Sequence, residues 1–139
     1  MSTIFSKIIT KEIPAHFVYE DDYVVAFLDI SQATKGHTLV VPKVAYKDIF
    51  EVPEKTASHL FGVSVKIAKA IQKAFGVDAM NILSNNGASA GQTVFHFHIH
   101  LIPRYQKEDE NLFKLKNNQG NLSLEDYQLR AKLIREALS

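Results

Sequence analysis

The chain has 139 residues, 46% of them hydrophobic, which is enough for one globular domain whose core needs neither disulfides nor metal ions. Its 16 basic and 15 acidic residues are spread along the chain for a formal charge of +1, leaving no basic stripe for a nucleic-acid polymer and no acidic tail. Cysteine is absent, which excludes disulfides, thiol nucleophiles and thiolate metal sites; with no signal-peptide pattern and no membrane-spanning apolar run, the expectation is a cytoplasmic protein without membrane contact.

Ser2 or Thr3 is placed to cap a short helix whose Ile4, Phe5, Ile8 and Ile9 form one apolar side. Pro14 limits that helix, because the residue ahead of a proline is driven out of the helical region. Residues 17–19 and 24–30 are β-branched and aromatic on either side of Glu20, Asp21 and Asp22, the pattern of a hairpin with Asp29 near its end. A loop over 32–36 leads into a strand over 37–42, opened by His37 and closed by a proline that has no N–H for a sheet ladder.

Pro53 suits a first helical turn, and Leu60, Val63, Ile67, Ala70, Ile71 and Ala74 recur at three- and four-residue steps up to Gly76, predicting a long helix. Lys66, Lys69 and Lys73 read as its solvated face, and His59 is assigned no role. A fourth strand is predicted over 79–83. It feeds a loop over 84–93 whose small polar residues let a ligand approach the backbone.

From 95 to 103 three histidines alternate with large apolar residues. The period of two predicts a strand with His96, His98 and His100 on one face and Phe95, Phe97, Ile99 and Leu101 on the other, one face packing and the other presenting imidazoles. Beyond Arg104 the chain is polar as far as Asn121, with Leu112, Phe113 and Leu115 as apolar anchors. Ser123 and Asp126 then form a capping-box pattern ahead of an amphipathic helix marked by Tyr127, Ala131, Ile134 and Leu138. The expected organisation is a single domain over 1–139, with a core over 3–104 and a C-terminal extension over 105–139.

Three aligned imidazoles permit two chemistries. One is a metal centre, since neutral imidazole is a common ligand. The strand brings no acidic residue or thiol, however, and the adjoining loop of hydroxyls and amides suits an anionic substrate better than the surroundings of a metal. The other is nucleophilic catalysis at phosphorus, where one imidazole attacks, a neighbour manages the proton, and backbone N–H groups with Ser, Thr and Asn side chains of the loop hold the oxygens.

The run from His96 to Ile102, with histidine at 96, 98 and 100, resembles the histidine-triad motif of the HIT superfamily. Residues 4–8, 12–14, 26–30, 36–43 and 91–94 are similar to its Hint branch. The resemblance implies an α+β fold with a roughly five-stranded antiparallel sheet, one long helix, short N-terminal and C-terminal helices, and sheets joined across a homodimer. It also implies a purine nucleotide hydrolase of the nucleoside phosphoramidase type that needs no cofactor. In it His98 attacks the α-phosphorus, and water hydrolyses the nucleotidyl-histidine to release a nucleoside monophosphate.

On the same resemblance, His100 contacts the phosphate or leaving group, and His96 and His37 orient and tune the cluster. Asn85, Gly91, Gln92 and Thr93 hold the phosphate and leaving group, and Asp29 accepts the ribose hydroxyls. Ile4, Phe5, Ile8, Phe27, Ile30 and Leu39 sandwich the base. Without the resemblance, Asp29 reads equally as a turn residue and Phe5 as a core residue. The alternatives are a dinucleoside polyphosphate hydrolase or nucleotidyl transferase, a non-catalytic nucleotide-binding regulatory module, and a metal hydrolase.

The chain departs from the pattern in one group of positions. Many bacterial relatives hold a structural zinc through a Cys-x-x-Cys pair, a histidine after the Val-Pro-Lys segment and a triad histidine, but here the first three positions are Thr3, Ser6 and Ala45. The expectation is therefore no zinc. Thr93 stands where serine is usual, keeping the hydroxyl and adding a methyl group.

Overall fold

Five strands, β1 (Phe17–Glu20), β2 (Val24–Leu28), β3 (Thr38–Pro42), β4 (Met80–Leu83) and β5 (Ile99–Pro103), form one antiparallel sheet in the order β1-β2-β3-β5-β4. The computed structural model that shows this describes residues 2–105 and 115–138. Three helices complete it: α1 (Ile4–Ile9), α2 (Glu54–Phe75) and α3 (Leu124–Ala137). This is the α+β architecture expected. The chain divides into two compact units, Met1–Asp109 with the sheet, α1 and α2, and Glu110–Ser139 with α3.

Alternation along the central strands gives the first unit two apolar layers. Val24 and Ala26 of β2, Val40 of β3, and Ile99 and Leu101 of β5 pack with Leu60, Val63, Ile67 and Ile71 of α2. Their neighbours Val25, Phe27, Leu39 and Val41 face the other way and pack with Phe5 and Ile8 of α1. Leu60 and Leu101 are wholly buried, and each such side chain contributes about 1.5–3 kcal/mol.

Local chemistry explains the element ends. Thr3 and Ser6 form a reciprocal capping box that starts α1, and Gly76, at φ 66°, ends α2 in the left-handed conformation that glycine adopts without strain. The hairpin turn is organised by Asp21, whose Oδ1 accepts from the N–H groups of Tyr23 (2.7 Å) and Val24 (2.8 Å). Its Oδ2 accepts from the Tyr19 hydroxyl at 2.9 Å and from His59 Nε2 at 2.7 Å, so His59 tethers α2 to the turn. Burial acts to raise the Asp21 pKa, but these donors outweigh it and bring it to about 2.

Three expectations are corrected. The histidine strand begins at Ile99 rather than at 95, because the N–H of Phe97 donates to the Tyr46 carbonyl at 2.7 Å and β3 pairs with β5 only over Ile99, His100 and Leu101. Phe95 is exposed rather than packed with Phe97. β2 stops at Leu28, since Asp29 turns the chain by accepting the Ser31 N–H on Oδ1 at 2.8 Å, and this leaves Ile30 98% exposed.

In the second unit, Ser123 and Asp126 cap α3 reciprocally, and the helix buries none of its side chains, its apolar stripe included. Leu115 is exposed rather than an anchor, while Leu112 and Phe113 lie outside the described residues. No helix among the described residues is long and apolar enough to cross a membrane.

Candidate active site

The sheet face that carries α1 also carries the histidines. His100 pairs with Leu39 across β3, so both side chains point to the α1 side, and the period of two puts His37, just before β3, beside them. His96 and His98 approach β5 on the same side, where the Phe5 ring meets them edge-on at 5.8 Å and 5.0 Å. The imidazole row expected to face outward is thus packed: His96 is 0% exposed, His37 4% and His98 7%.

In front of this row lies a cleft of about 530 Å³, within the usual range of about 300–1,000 Å³ for small-molecule sites. Its apolar lining comes from Ile4, Phe5 and Ile8 of α1, Phe27 of β2, Leu39 of β3 and the exposed Ile30. Asn85, Gly91, Gln92 and Thr93 of the loop, with Asp29, His98 and His100, also line it. His96 and His37 do not line it; they sit behind His98 and His100. Ile13, Pro14, Ala15, His16, Leu28 and Val94 also line the cleft, and sequence reasoning missed them. The run from Ile13 to His16 between α1 and β1 has no periodicity to mark it, so only folding reveals that it lines the cleft.

The hydrogen-bond partners fix the protonation pattern of the four imidazoles. A carbonyl can only accept, so His98 must donate its Nδ1–H to the His96 carbonyl at 2.7 Å, which leaves the Nε2 lone pair unprotonated. Likewise His96 donates Nε2–H to the Pro42 carbonyl at 2.8 Å, and its Nδ1 accepts the Thr3 hydroxyl at 2.8 Å. The Ala33 N–H donates to His37 Nδ1 at 3.2 Å, so the proton of His37 is on Nε2 and is given to His100 Nδ1 at 2.9 Å. His100 therefore carries its own proton on Nε2. An open lone pair on His98 Nε2 and an N–H donor on His100 result, on rings 4.9 Å apart.

All four rings are held neutral. Burial lowers the pKa of His37, His96 and His98 below 6.5, and burial together with the neighbouring charges of His98 and His37 takes His100 to about 4. For Asp29, burial acts to raise the pKa, but the Ser31 hydroxyl and N–H with His37 and His100 outweigh it and hold the carboxyl below its ordinary value. Its Oδ1 is engaged by both Ser31 donors, and its Oδ2 lies 3.6 Å from His37 Nε2 and 3.9 Å from His100 Nδ1.

The loop is built by its own side chains. Gln92, 4% exposed, accepts the Gly87 N–H on Oε1 at 2.7 Å and donates Nε2 to the carbonyls of Lys47 (2.7 Å) and Val94 (3.1 Å), so its amide shapes the loop. Ser84 donates its hydroxyl to the His98 carbonyl at 2.9 Å, fixing the backbone of the residue with the open lone pair.

Neither of two candidate metal positions offers an open ligand set. Asp29, His37 and His100 bring ligand atoms within 4.8 Å of one another, but the His37 lone pair is on Nδ1 under the Ala33 N–H, and the edge facing His100 is a donated hydrogen bond rather than a pair of open ligands. The positions of the zinc-bearing relatives do not fit either. Ala45 offers no ligand atom, and Thr3 presents to His96 a hydroxyl proton where a metal would need a thiolate.

Comparison with known proteins supplies the family. A model of the HIT domain matches residues 10–107. "Protein hit" of Bacillus subtilis is 46% identical over 136 residues, spanning 98% of this chain and 94% of that protein. The crystal structure of a HIT family protein from Bacillus anthracis superposes with a TM-score of 0.92 at 51% identity, covering 98% of this chain and 96% of the other. The adenylylsulfatase HINT3 of Arabidopsis thaliana is 42% identical over 105 residues, which are 76% of this chain and 53% of that protein. With His98 and His100 at the cleft, His96 packed beside them, and the domain match covering most of its length, the chain belongs to the HIT domain family.

Proposed function

We propose that this protein is a cytoplasmic purine nucleotide hydrolase of the nucleoside phosphoramidase type, acting at the α-phosphate through His98. The observation that carries this reading is the His98 Nδ1–H bond to the His96 carbonyl, which leaves Nε2 as a neutral nucleophile at a cleft with an apolar lining and a loop of small polar residues. The base lies between α1, Phe27 and Leu39. The ribose hydroxyls donate to Asp29 Oδ2. The α-phosphate meets His100 Nε2–H and the loop of Asn85, Gly91 and Thr93, which Gln92 holds in shape.

The His98 Nε2 lone pair then bonds to phosphorus as the bond to the leaving nitrogen breaks. The leaving group departs with that electron pair and takes a proton from water. The imidazolium of the nucleotidyl-histidine keeps its Nδ1–H on the His96 carbonyl. In the second step water attacks phosphorus and gives a proton to the hydroxide left by the first, the phosphorus–Nε2 bond breaks, and its electron pair returns to His98 as the nucleoside monophosphate leaves. No step requires a metal or a cofactor.

The likeness to an adenylylsulfatase makes sulfate, displaced from adenosine phosphosulfate, the second leaving group to test. A panel of adenosine phosphoramidate, adenosine phosphosulfate and diadenosine polyphosphates, with intact-mass detection of an adenylyl adduct on the protein, reports the chemistry and the leaving group together. Absence of AMP release and of any adduct across the panel, with AMP still bound, would instead identify a nucleotide-binding regulatory module.

A homodimer completes the proposal. β4 ends the sheet among the described residues, and Ile82 on it, with Phe61 on α2 and Ile49 nearby, leaves an apolar edge about half exposed. Pairing two copies across β4 covers this edge. Ile82→Lys is expected to convert a dimer to a monomer in sedimentation velocity, and a monomeric wild type would overturn the assignment.

A further inference from the structure

We propose that Thr3 is a positioning residue of this site, its hydroxyl locking the α1 wall of the cleft to His96 and, through the His96 backbone, to the nucleophile. The proposal rests on the reading of His98 as nucleophile. It starts from the disagreement noted above: the positions that hold zinc in relatives are here filled by a closed set of hydrogen bonds whose directions can be assigned.

His96 is completely buried and must give Nε2–H to the Pro42 carbonyl, so its Nδ1 is a bare acceptor that, among the described residues, the Thr3 hydroxyl reaches at 2.8 Å. With its proton committed to His96, Thr3 Oγ1 can only accept from Ser6, and it does so from the backbone N–H at 3.0 Å and from the side-chain hydroxyl at 3.1 Å. Ser6 Oγ in turn accepts the Thr3 N–H at 3.2 Å. Every proton in this set has one direction. The same hydroxyl therefore caps α1 and orients the ring whose carbonyl holds His98 Nδ1–H at 2.7 Å.

α1 needs such a tether. It has six residues, too few for a helix to persist by itself, yet Ile4, Phe5 and Ile8 form one wall of the cleft and the Phe5 ring stands 5.0 Å from His98. Residues 10–16, which lead from α1 to β1, are irregular, and Ile13 to His16 among them line the cleft, so the wall is held by packing of Phe5 and Ile8 and by the Thr3–His96 bond. A displaced α1 widens the cleft, and an unpaired His96 Nδ1 releases the ring that orders His98.

Three variants of the full chain separate this role from ordinary helix capping. Thr3→Val keeps the side-chain shape and removes the hydroxyl; the expected result is a kcat/KM for adenosine phosphoramidate about tenfold lower, the change expected from one lost buried hydrogen bond, with a weaker Kd for AMP. Thr3→Ser is expected to restore both to within about threefold, since only the hydroxyl is required. Ser6→Ala removes the cap partner but not the bond to His96, and is expected to lose less than Thr3→Val.

Imidazole nitrogen NMR supplies the readout independent of turnover: His96 is expected as the Nε2–H tautomer in the wild type, with its Nδ1 resonance moved in Thr3→Val and retained in Ser6→Ala. Equal losses in Thr3→Val and Ser6→Ala, no rescue by Thr3→Ser, or an unmoved His96 resonance in Thr3→Val would overturn the proposal. If the wild type turns over no α-phosphate substrate, the functional reading fails, while the His96 resonance and AMP binding still decide the role of Thr3.

Discussion

The Nδ1 of His98 lies 2.7 Å from the backbone oxygen of His96, and this contact decides which nitrogen of His98 can act. A ring that must donate at Nδ1 has its lone pair at Nε2, and the same bond stabilises the charge that the ring acquires when Nε2 forms a bond to phosphorus. The geometry thus serves both the free and the modified histidine.

His98→Ala removes the proposed nucleophile. The expected result is a fall in kcat of at least about a thousandfold with no adenylyl adduct by intact mass, as for deletion of a covalent nucleophile, while AMP still binds. Turnover at the wild-type rate would sink the covalent mechanism.

Acid should weaken both activity and stability. The four site histidines have folded-state pKa values below the unfolded 6.5, so below that pH the unfolded chain takes up protons that the folded chain refuses, and stability falls with pH. For His100 the loss runs from pH about 6.5 to about 4. Asp29, also lowered, adds its own loss as pH falls through its folded value. Denaturant midpoints measured from pH 7.5 to 4.5 should hold level above about 6.5 and decline below it. The midpoint of the acid limb of kcat/KM should lie below 6.5, because burial lowers the His98 pKa.

Asp29→Ala should cost the recognition of sugar hydroxyls. Hydrogen bonds to a charged acceptor are worth about 1.5–3 kcal/mol, so kcat/KM for an adenosine substrate should drop by about tenfold to a hundredfold. The variant should no longer distinguish ribose from 2′,3′-dideoxyribose substrates. A variant that still prefers ribose by the wild-type margin would place the sugar elsewhere.

Gly36 stands immediately before His37 at φ +93°, and a Cβ added there would come within 2.8 Å of the Phe75 ring of α2. Gly36→Ala should therefore destabilise the protein by about 1–3 kcal/mol through backbone strain and crowding, read as a lower denaturant midpoint.

Asp21→Ala leaves the Tyr23 and Val24 N–H groups, the Tyr19 hydroxyl and His59 without their shared acceptor. A loss of about 1–3 kcal/mol in stability is expected from chemical denaturation. Because the turn lies outside the cleft, kcat/KM should stay at the wild-type value.

Some of this architecture is legible in the sequence because its causes are local. The step of three and four residues from Leu60 to Ile71, closed by Gly76, is sufficient for α2, and Ser123 with Asp126 marks a helix start within one turn, whereas at α1 the sequence offers Ser2 or Thr3 and the fold selects Thr3. The alternation of histidine with Phe97, Ile99 and Leu101 also survives folding, since the apolar three enter the α2 layer and the imidazoles lie on the other side. The start of β5 does not follow from alternation, because the partner that takes the Phe97 N–H is Tyr46, about fifty residues away.

What only the tertiary structure decided is the protonation pattern of the imidazoles, and with it which of them can attack. Distant partners assign the nitrogens of His96, from Pro42 and Thr3 at 54 and 93 positions, and Nδ1 of His100, from His37 at 63, while Nδ1 of His98 and of His37 are set by partners two and four residues away that only the folded backbone brings into line. A strand pattern states that three histidines share a face, but a tautomer depends on what stands opposite each nitrogen. By itself the sequence determined the fold class, the family and the motif; folding separated the rings at the cleft from the buried rings behind them, because burial and hydrogen-bond direction are set by contacts between segments far apart in the chain.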